Sequence, residues 1–561
     1  MLLCPPPLHR LRFAPGVRVT PDRSALRPSA KLERRLRRVC FTGRWRHLKL
    51  ALHAPVPPPA RDKEEANPII AGIDPHLHRQ LFLDDGAIEA MSGLRRVMHQ
   101  PVNTGPVILP ERSRGEVAVQ SSSVPQWNSE REVWEWWYKG FTTYTDEYLT
   151  LFATSRDGVK WDVPELGLHE WNGSRNNNIA FASDRANLCH VIRDEADADP
   201  QRRYKGLFSD SEHMDRYPGV SEDGFRWEIS DGPPIPSHDT STLVYDDIAS
   251  RYLAIVKHRT EWGRSAFLTT SLDFVHWTDP ELVLHTDEID QANRARRIQA
   301  IVDDPAFLSP PVVDGREYLA QLYMMPVLPY EGLYIGFPLL FNPSGADGQQ
   351  SNHTGVNQVE LAVSRDAREW ERVADRAIFV GVEPWEDGAN YGNAQVALCG
   401  APTVRGPEIW IYHIACRYRG HRDLFADLDP AIYNDEFFDP STVICLAKLR
   451  RDGFVSLDAA PRGGELLTRP LIWEQGDLRV NAEVAAGGEI RAEVVDADSL
   501  CPLPARSAGE CEPLHGDRLA ARIRWRDEPR PSFGDAPVRL RFYLRDARLY
   551  SFWLCPGEAN E

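Results

Sequence analysis

One short pattern returns four times along this chain of 561 residues. Each copy has a Ser, an Asp two residues later and a Trp four residues after the Asp. The copies are Ser155–Trp161, Ser221–Trp227, Ser271–Trp277 and Ser364–Trp370, with a shortened fifth in Arg451-Asp452-Gly453-Phe454. An Asp side chain can accept hydrogen bonds from the backbone that follows it, and Gly tolerates positive φ, so each copy predicts a tight turn between two outer strands.

A second unit precedes these turns: an apolar strand, a polar turn and an aromatic strand. Examples are Ser241–Tyr245 before Tyr252–Val256, and Ala401–Val404 before Ile409–Tyr412. Strand pairs that recur at intervals of about 50 to 90 residues and end in one turn motif are typical of blades around a channel. No sustained helical periodicity occurs within the repeats, which disfavours an α/β fold. The pattern therefore predicts an all-β chain with a five-bladed β-propeller; a many-stranded sandwich is the structural alternative.

The composition and the hydrophobic pattern of the sequence divide the chain into three parts. Residues 67–455 carry the repeats and form the predicted propeller. Residues 456–561 alternate apolar and polar side chains, which predicts a small antiparallel β-sandwich. Residues 1–66 hold 15 Lys and Arg against five Asp and Glu and have no continuous apolar run. They are predicted to be a disordered, basic, Pro-rich leader, with a functional basic arm as the alternative.

The net charge and the cysteines of the chain limit its expected binding partners and its expected cellular location. The formal net charge of −17 disfavours nucleic acid and anionic membrane surfaces, and no apolar run is long enough to span a bilayer. Nine scattered cysteines without C-x-x-C spacing suggest free thiols and a cytoplasmic location, although Cys501 and Cys511 could pair in an exported protein. No nucleotide-binding glycine motif is present, so no cofactor is expected, and the histidines lack metal-ligand spacing.

Several segments resemble known carbohydrate-active enzymes. Leu81–Asp85, Tyr330–Gly336, Leu361–Asp366 and Asp452–Asp458 are similar to bacterial proteins related to glycoside hydrolase family 32. With the repeats, they resemble the five-bladed hydrolases of families 32 and 43, which join a propeller to a C-terminal β-sandwich. The resemblance implies a glycosidase, yet the family-32 Asn-Asp-Pro-Asn-Gly and Arg-Asp-Pro motifs are absent. Pro106–Pro110 followed by Glu116 is similar to the entry segment of family-130 mannoside phosphorylases.

Glycosidic bond cleavage needs a carboxylic acid and a carboxylate in one pocket. Asp239 precedes a predicted inner strand among polar neighbours that favour the ionised form. Glu331 lies among aromatic residues that would raise its pKa, which suits a general acid. Asp84 and Asp85 end an apolar strand where related families place an acid, and Glu116 is a further candidate. We expect Asp239 and Glu331 to converge at the channel mouth with Asp84 or Asp85.

Sugar contacts are expected from aromatic side chains that can stack on sugar faces, above all those outside the predicted strands, and from polar side chains. The candidates are Trp385, Tyr391, Tyr330, His238 and Glu386. Three hypotheses remain open: a glycoside hydrolase, a propeller phosphorylase, and a carbohydrate-binding propeller without catalysis. A phosphorylase should gather Arg, Lys and His at the pocket to hold phosphate, and Arg294, Arg296 and Arg297 are candidates for this role.

Overall fold

The computed structural model describes residues 73–142, 148–183, 186–210, 214–346, 354–526 and 533–555. The predicted leader, residues 1–66, lies outside the described residues. Strands account for most of the described secondary structure. The helices there are two α-helices, Glu288–Asp303 and Asp435–Phe438, and the 3-10 turns Arg112–Arg114, Pro200–Arg202, Ala374–Arg376 and Arg422–Phe425. The all-β prediction is confirmed. Within the described part of the chain, no helix is both long and apolar enough to cross a membrane.

Five groups of antiparallel strands, here called modules 1 to 5, follow one another along the chain. Each module has four strand positions, which pair in sequence order in modules 1 to 4. Module 1 comprises Glu116–Gln120 with Gln126–Asn128, then Val133–Thr142, Tyr148–Ser155 and Ile179–Phe181. Module 2 comprises Ala186–Arg193, Tyr204–Asp210, Arg216–Ser221 and Glu228–Ile229. Module 3 comprises Ser241–Asp246, Arg251–Thr260, Gly263–Ser271 and Glu281–Leu284.

Modules 4 and 5 follow the same plan with interrupted strands. Module 4 comprises Gln321–Met324 with Val327–Tyr330, Leu333–Gly336 with Leu339–Asn342, Val356–Glu360 with Ala362–Ser364, and Glu371–Arg372 with Ile378–Val380. Module 5 comprises Gln395–Leu398 with Thr403–Arg405, then Glu408–Cys416 and Thr442–Arg450. Its fourth strand comes from earlier in the chain, because Val102–Ile108 pairs antiparallel with Thr442–Arg450. Module 5 thus joins the two ends of the repeated region.

The repeated turns have the predicted chemistry. In each of the four full copies, the Asp side chain accepts the backbone N–H groups two and three residues later, at 2.7–2.9 Å. Each turn connects the third strand of its module to the fourth, as expected for a turn between outer strands. The fifth copy differs, because Asp452 is buried and accepts hydrogen bonds from Tyr330, Asn481 and Ser551.

Each turn also packs on the preceding module. The Tyr412 hydroxyl of module 5 donates to the Gly158 carbonyl in the turn of module 1, at 2.8 Å. The turns of modules 2 to 5 make such contacts through Phe225 on Trp137, the Asp273 carbonyl on Arg202, Arg368 on Glu281, and Phe454 on Phe337. The turn of module 1 therefore packs on module 5, and the turns of modules 2, 3, 4 and 5 pack on modules 1, 2, 3 and 4, respectively. The contacts therefore form a closed cycle.

Two buried carboxylates and one partly buried carboxylate join neighbouring modules through tyrosines. The Tyr204 hydroxyl of module 2 donates to Glu135 of module 1 at 2.6 Å, and Tyr334 of module 4 donates to Asp246 of module 3 at 2.8 Å. Tyr252 of module 3 makes the same bond to Asp194, which follows the first strand of module 2. A buried carboxylate is costly unless it is hydrogen-bonded, so these tyrosines stabilise the contacts between modules.

A separate sheet holds the C-terminal strands, and the alternation in the sequence predicts its strands well. The chain passes into this sheet between Arg450 and Val455. Residues 80–98, which the sequence analysis assigns to the propeller, pair with the C-terminal strands instead. The strands of this sheet are Gln80–Leu81, Ile88–Ser92, Leu94–Met98, Val455–Ala459, Gly464–Thr468, Leu471–Ile472, Asp477–Asp496, Gly516–Arg522 and Pro537–Cys555. The count of five blades and the sandwich architecture stay predictions.

Candidate active site

A cluster of buried polar side chains joins modules 2, 3, 4 and 5. The His190 ring lies 2.8 Å from the Ser241 hydroxyl. This contact connects the first strands of modules 2 and 3. The Thr240 hydroxyl donates to the Tyr323 carbonyl of module 4 at 3.1 Å. The polar cluster, as we define it, consists of His190, Arg216, Asp239, Ser241, Lys257, Arg264, Tyr323, Gln395 and Arg419.

Asp239 is the carboxylate of this cluster. It directly precedes the first strand of module 3 and has φ of 69°, a left-handed conformation that Asp tolerates better than most residues. Its side-chain Oδ2 lies 2.7 Å from Lys257 Nζ, and its backbone carbonyl accepts a hydrogen bond from Arg216. The Asp239 side chain is 19% exposed, so the carboxylate is held in a fixed position but remains accessible.

The electrostatics of the pair keep Asp239 ionised. Burial on its own would raise the pKa of Asp239, but the Lys257 ammonium gives the largest of the opposing effects, and the pKa lies well below its ordinary value. Burial lowers the pKa of Lys257 from 10.5 to about 8, although Asp239 opposes this change. Both groups are therefore mostly charged at neutral pH.

Cations surround the Tyr323 ring next to this pair. Lys257 Nζ lies 4.0 Å from the ring centroid, and the guanidinium carbons of Arg264 and Arg419 lie 4.9 and 5.9 Å from it. Arg419 also donates to the Gln395 side chain of module 5 at 2.6 Å. Arg216 is fully buried and donates to the Ser241 hydroxyl at 2.7 Å. The arrangement can orient hydroxyl groups and stabilise negative charge on a ligand.

Glu331 lies elsewhere, and the expected convergence with Asp239 is wrong. Glu331 occupies the hairpin turn after Tyr330, where it accepts the Arg79 backbone N–H at 2.8 Å and lies 3.7 Å from the Arg79 guanidinium. Tyr323 and Tyr330 lie at opposite ends of one interrupted strand, roughly 20 Å apart at about 3.3 Å per residue. Burial does raise the pKa of Glu331, as its aromatic surroundings predict, but the group is used in a structural contact.

Asp84 and Asp85 also lie away from the polar cluster. Asp84 accepts the Gly86 N–H at 2.9 Å and forms an ion pair with Arg365 at 2.8 Å. Asp85 is paired with Arg96, and its side chain is 72% exposed. Both residues follow the strand Gln80–Leu81, which belongs to the C-terminal sheet. Asp84 thus caps the turn after the strand, and the described contacts of Asp84 and Asp85 do not reach the polar cluster, so their expected convergence with Asp239 is wrong.

Glu116 begins the first strand of module 1 and lines a cavity of about 530 Å³. It is 5% exposed and accepts the Glu111 N–H at 2.8 Å. Burial raises its pKa. Glu165 and Trp171 line the same cavity. Glu116 therefore has the properties of a proton donor, but no residue of the polar cluster lines its cavity.

The predicted sugar contacts are distributed over several places. His238, which directly precedes Asp239 in the chain, is exposed, and its ring lies 5.1 Å from that of His258. Trp385 packs on Phe437 at 5.6 Å, and Tyr391 is covered by the Arg417 guanidinium at 4.1 Å. Glu386 is exposed, and Tyr330 is buried beside Asp452. Of these residues, His238 alone adjoins a member of the polar cluster in the sequence.

The three arginines that were predicted as phosphate ligands do not belong to the polar cluster. Arg294, Arg296 and Arg297 lie in the helix Glu288–Asp303, where Arg297 is paired with the buried Glu360. Lys257, Tyr323 and Arg419 were not predicted from the sequence. The signal for Lys257 was available, because a Lys directly after the apolar run Tyr252–Val256 must be paired or placed in a polar cavity.

No protein-family model matches this chain, and no curated protein does. Solved structures to which it is similar include a family-32 β-fructofuranosidase from Bombyx mori, at 8% identity over 82% of this chain and 95% of that one, with a TM-score of 0.36. An exo-β-1,3-galactanase from Phanerochaete chrysosporium, with galactose, is 8% identical over 81% and 99%, with a TM-score of 0.33.

A third solved structure comes from the family-130 mannoside phosphorylases. That family contains glycoside hydrolases that target β-1,2 mannosidic linkages in Candida mannan. This structure is 13% identical over 62% of this chain and 93% of that one, with a TM-score of 0.34. The neighbours are glycoside hydrolases of propeller type. At such low identity and TM-score, the roles of individual residues rest on this chain's own geometry.

Proposed function

We propose that modules 1 to 5 are the blades of a closed five-bladed β-propeller and that the C-terminal sheet belongs to a β-sandwich. The cycle of turn contacts supports this proposal, because each of five turns packs on the module before it and the first packs on the fifth. The strand Val102–Ile108 supports it too, since an early strand that completes the last module is a means of closing a ring.

We further propose that the protein is a glycosidase that acts on a small saccharide or a polysaccharide end. The observation that carries this proposal is the Asp239–Lys257 pair, at the place where polar side chains of four modules meet. A propeller brings the first strands of its blades together around a channel, so that such a cluster faces a ligand. An ionised, partly exposed carboxylate in this position suits cleavage of a glycosidic bond.

The residues of the cluster have different roles in this proposal. Asp239 acts as the nucleophile, as the base for water, or as the charge that stabilises an oxocarbenium-like transition state. The proton for the leaving oxygen comes from the Lys257 ammonium, whose pKa of about 8 suits a general acid. Lys257 keeps Asp239 ionised and fixes its orientation. Arg419 donates hydrogen bonds to the sugar hydroxyls, His190 donates or accepts them, and Tyr323 supplies a ring face next to them.

Phosphorolysis is a second candidate, and one observation favours it. Four buried cations, Arg216, Lys257, Arg264 and Arg419, belong to the same cluster as His190. This is the set of residue types that the sequence analysis requires of a phosphorylase. Guanidinium groups match phosphate oxygens with paired hydrogen bonds, so phosphate could replace water as the attacking group.

The test is to incubate the full chain with neutral oligosaccharides, with and without inorganic phosphate, and to separate the products by chromatography. Free sugars that form at the same rate in both conditions support hydrolysis. A sugar 1-phosphate that forms only with phosphate supports phosphorolysis. Binding of a saccharide without any cleavage would contradict both candidates and support a carbohydrate-binding propeller.

We also propose a reducing compartment, the cytoplasm, as the site of action. All seven described cysteines are free, and five of them are buried: Cys189, Cys399, Cys416, Cys445 and Cys511. Cys501 is exposed and does not pair with Cys511. Free thiols of this kind persist where disulfides are kept reduced.

A further inference from the structure

The cavity that Glu116 lines lies on module 1, and no residue of the polar cluster lines it. Its volume is about 530 Å³, within the range of roughly 300 to 1,000 Å³ that is usual for small-molecule sites. The residues that line it come from the segment before the first strand of module 1, from its second and third strands, and from the long connection to its fourth strand. The cavity therefore belongs to one module, whereas the polar cluster joins four others.

One wall of this cavity is apolar. Leu149 and Leu151 are almost fully buried in the third strand, and Gly140 of the second strand lies against them. A Cβ atom at Gly140 would lie 2.4 Å from Leu151, so the backbone is closely packed there. Trp171 adds a half-buried ring to the lining. Together these residues offer an apolar surface to a ligand.

The remaining lining is polar and held in place. Asn178 accepts a hydrogen bond from the Arg114 guanidinium at 2.7 Å and donates to the Tyr138 hydroxyl at 3.1 Å. Glu116 is fixed by the Glu111 N–H, as described above. Polar groups that are already fixed lose little conformational freedom when a ligand binds.

The charges of the lining nearly balance. Two carboxylates, Glu116 and Glu165, stand beside two guanidinium groups, Arg112 and Arg114. Arg112 is paired with Asp439. Such a surface favours neither a strongly anionic nor a strongly cationic ligand. It suits a ligand with many hydroxyl groups and one apolar face.

We infer that this cavity binds a neutral saccharide unit, with one sugar face on Trp171 and the hydroxyl groups at Glu116, Glu165 and Arg114. A pyranose or furanose ring has such a face of C–H groups and an edge of hydroxyls, and aromatic rings pack well against C–H surfaces. The site is separate from the proposed catalytic cluster, and the inference holds whether or not Asp239 acts in catalysis.

The test is isothermal titration of the full-length Asp239→Asn variant, which should not cleave its ligand, with mannotetraose, galactotetraose and a fructan tetrasaccharide. At least one should bind, and Trp171→Ala in this background should weaken the binding about tenfold or more, as expected for the loss of a stacked ring. The matched control is Trp127→Ala, since Trp127 is 41% exposed on the same module and does not line the cavity.

A second variant guards against misfolding. Glu165 is exposed, so Glu165→Gln should leave the fold intact and weaken binding by about threefold through a poorer hydrogen bond. The inference is overturned if none of the three saccharides binds, if Trp171→Ala and Trp127→Ala have equal effects, or if tetragalacturonate binds more tightly than the neutral saccharides. Cleavage that persists in Asp239→Asn would contradict the proposed role of Asp239 and leave this inference standing, because the inference depends on how Trp171→Ala changes binding.

Discussion

The Asp239–Lys257 pair allows a prediction that covers stability and activity. Replacing Lys257 with Met removes an ammonium group 2.7 Å from the carboxylate of Asp239. At that distance, the Coulomb attraction is about 6 kcal/mol for an effective dielectric constant of about 20, before the cost of desolvation is subtracted. Removing one partner of a buried pair generally costs about 3–5 kcal/mol, because the other charge stays buried.

We therefore expect Lys257→Met to lower the free energy of unfolding by about 3 kcal/mol. The measurement is urea denaturation followed by tryptophan fluorescence, with the slope against urea unchanged. The double variant Asp239→Asn, Lys257→Met should recover part of the loss, because no charge is left unpaired by the substitution. Turnover should stay low in both variants.

The pH dependence of the same pair supplies an independent check. The folded protein holds the Lys257 pKa at about 8, whereas the unfolded chain has the ordinary 10.5. Between these values the unfolded state binds more protons, so the contribution of Lys257 to stability rises with pH, by about 3 kcal/mol in all. In Lys257→Met, this increase of the free energy of unfolding with pH should be absent. Wild-type turnover should fall above about pH 8, as the cation beside Asp239 is lost. A stability of Lys257→Met within about 0.5 kcal/mol of wild type would refute the reasoning.

Three further variants test other parts of the structure. Glu331→Gln should leave turnover unchanged and cost about 1 kcal/mol or less, since Gln can still accept the Arg79 N–H; a large loss of turnover would return Glu331 to the active site. Asp223→Ala should cost about 1 kcal/mol in urea denaturation and leave turnover alone, because it caps a turn. Tyr204→Phe should cost about 1–3 kcal/mol, since it leaves the buried Glu135 without that donor, and a neutral effect would argue against the contact between modules.

The sequence predicts the strands and turns well for a physical reason. Ser-x-Asp-Gly turns depend on local hydrogen bonds, as at Asp157 and Asp223, so that neighbouring residues suffice to predict them. The alternation of Val538–Leu544 likewise reflects one buried and one exposed face. Such patterns need no knowledge of what lies across the fold.

The site depends on contacts between distant segments, and there the sequence is a poorer guide. Asp239 was predicted because it precedes an inner strand, but its partner Lys257 is recognised only when module 3 is folded. Glu331 shows the opposite case, since its aromatic neighbours predict a raised pKa correctly but not its contact with Arg79. Residues 80–98 precede the repeats in the chain and yet pair with the C-terminal strands, a connection that no local pattern reveals.

The most direct test of the proposed glycosidase is turnover of Asp239→Asn beside Asp223→Asn as a matched control. Asp239→Asn removes a carboxylate from the polar cluster, and Asp223→Asn removes one from a turn. Circular dichroism and urea denaturation establish that each is folded. The proposal predicts that Asp239→Asn lowers release of sugar from the best neutral oligosaccharide by about two orders of magnitude or more, while Asp223→Asn stays near wild type. Equal turnover in the two variants would contradict a catalytic role for Asp239.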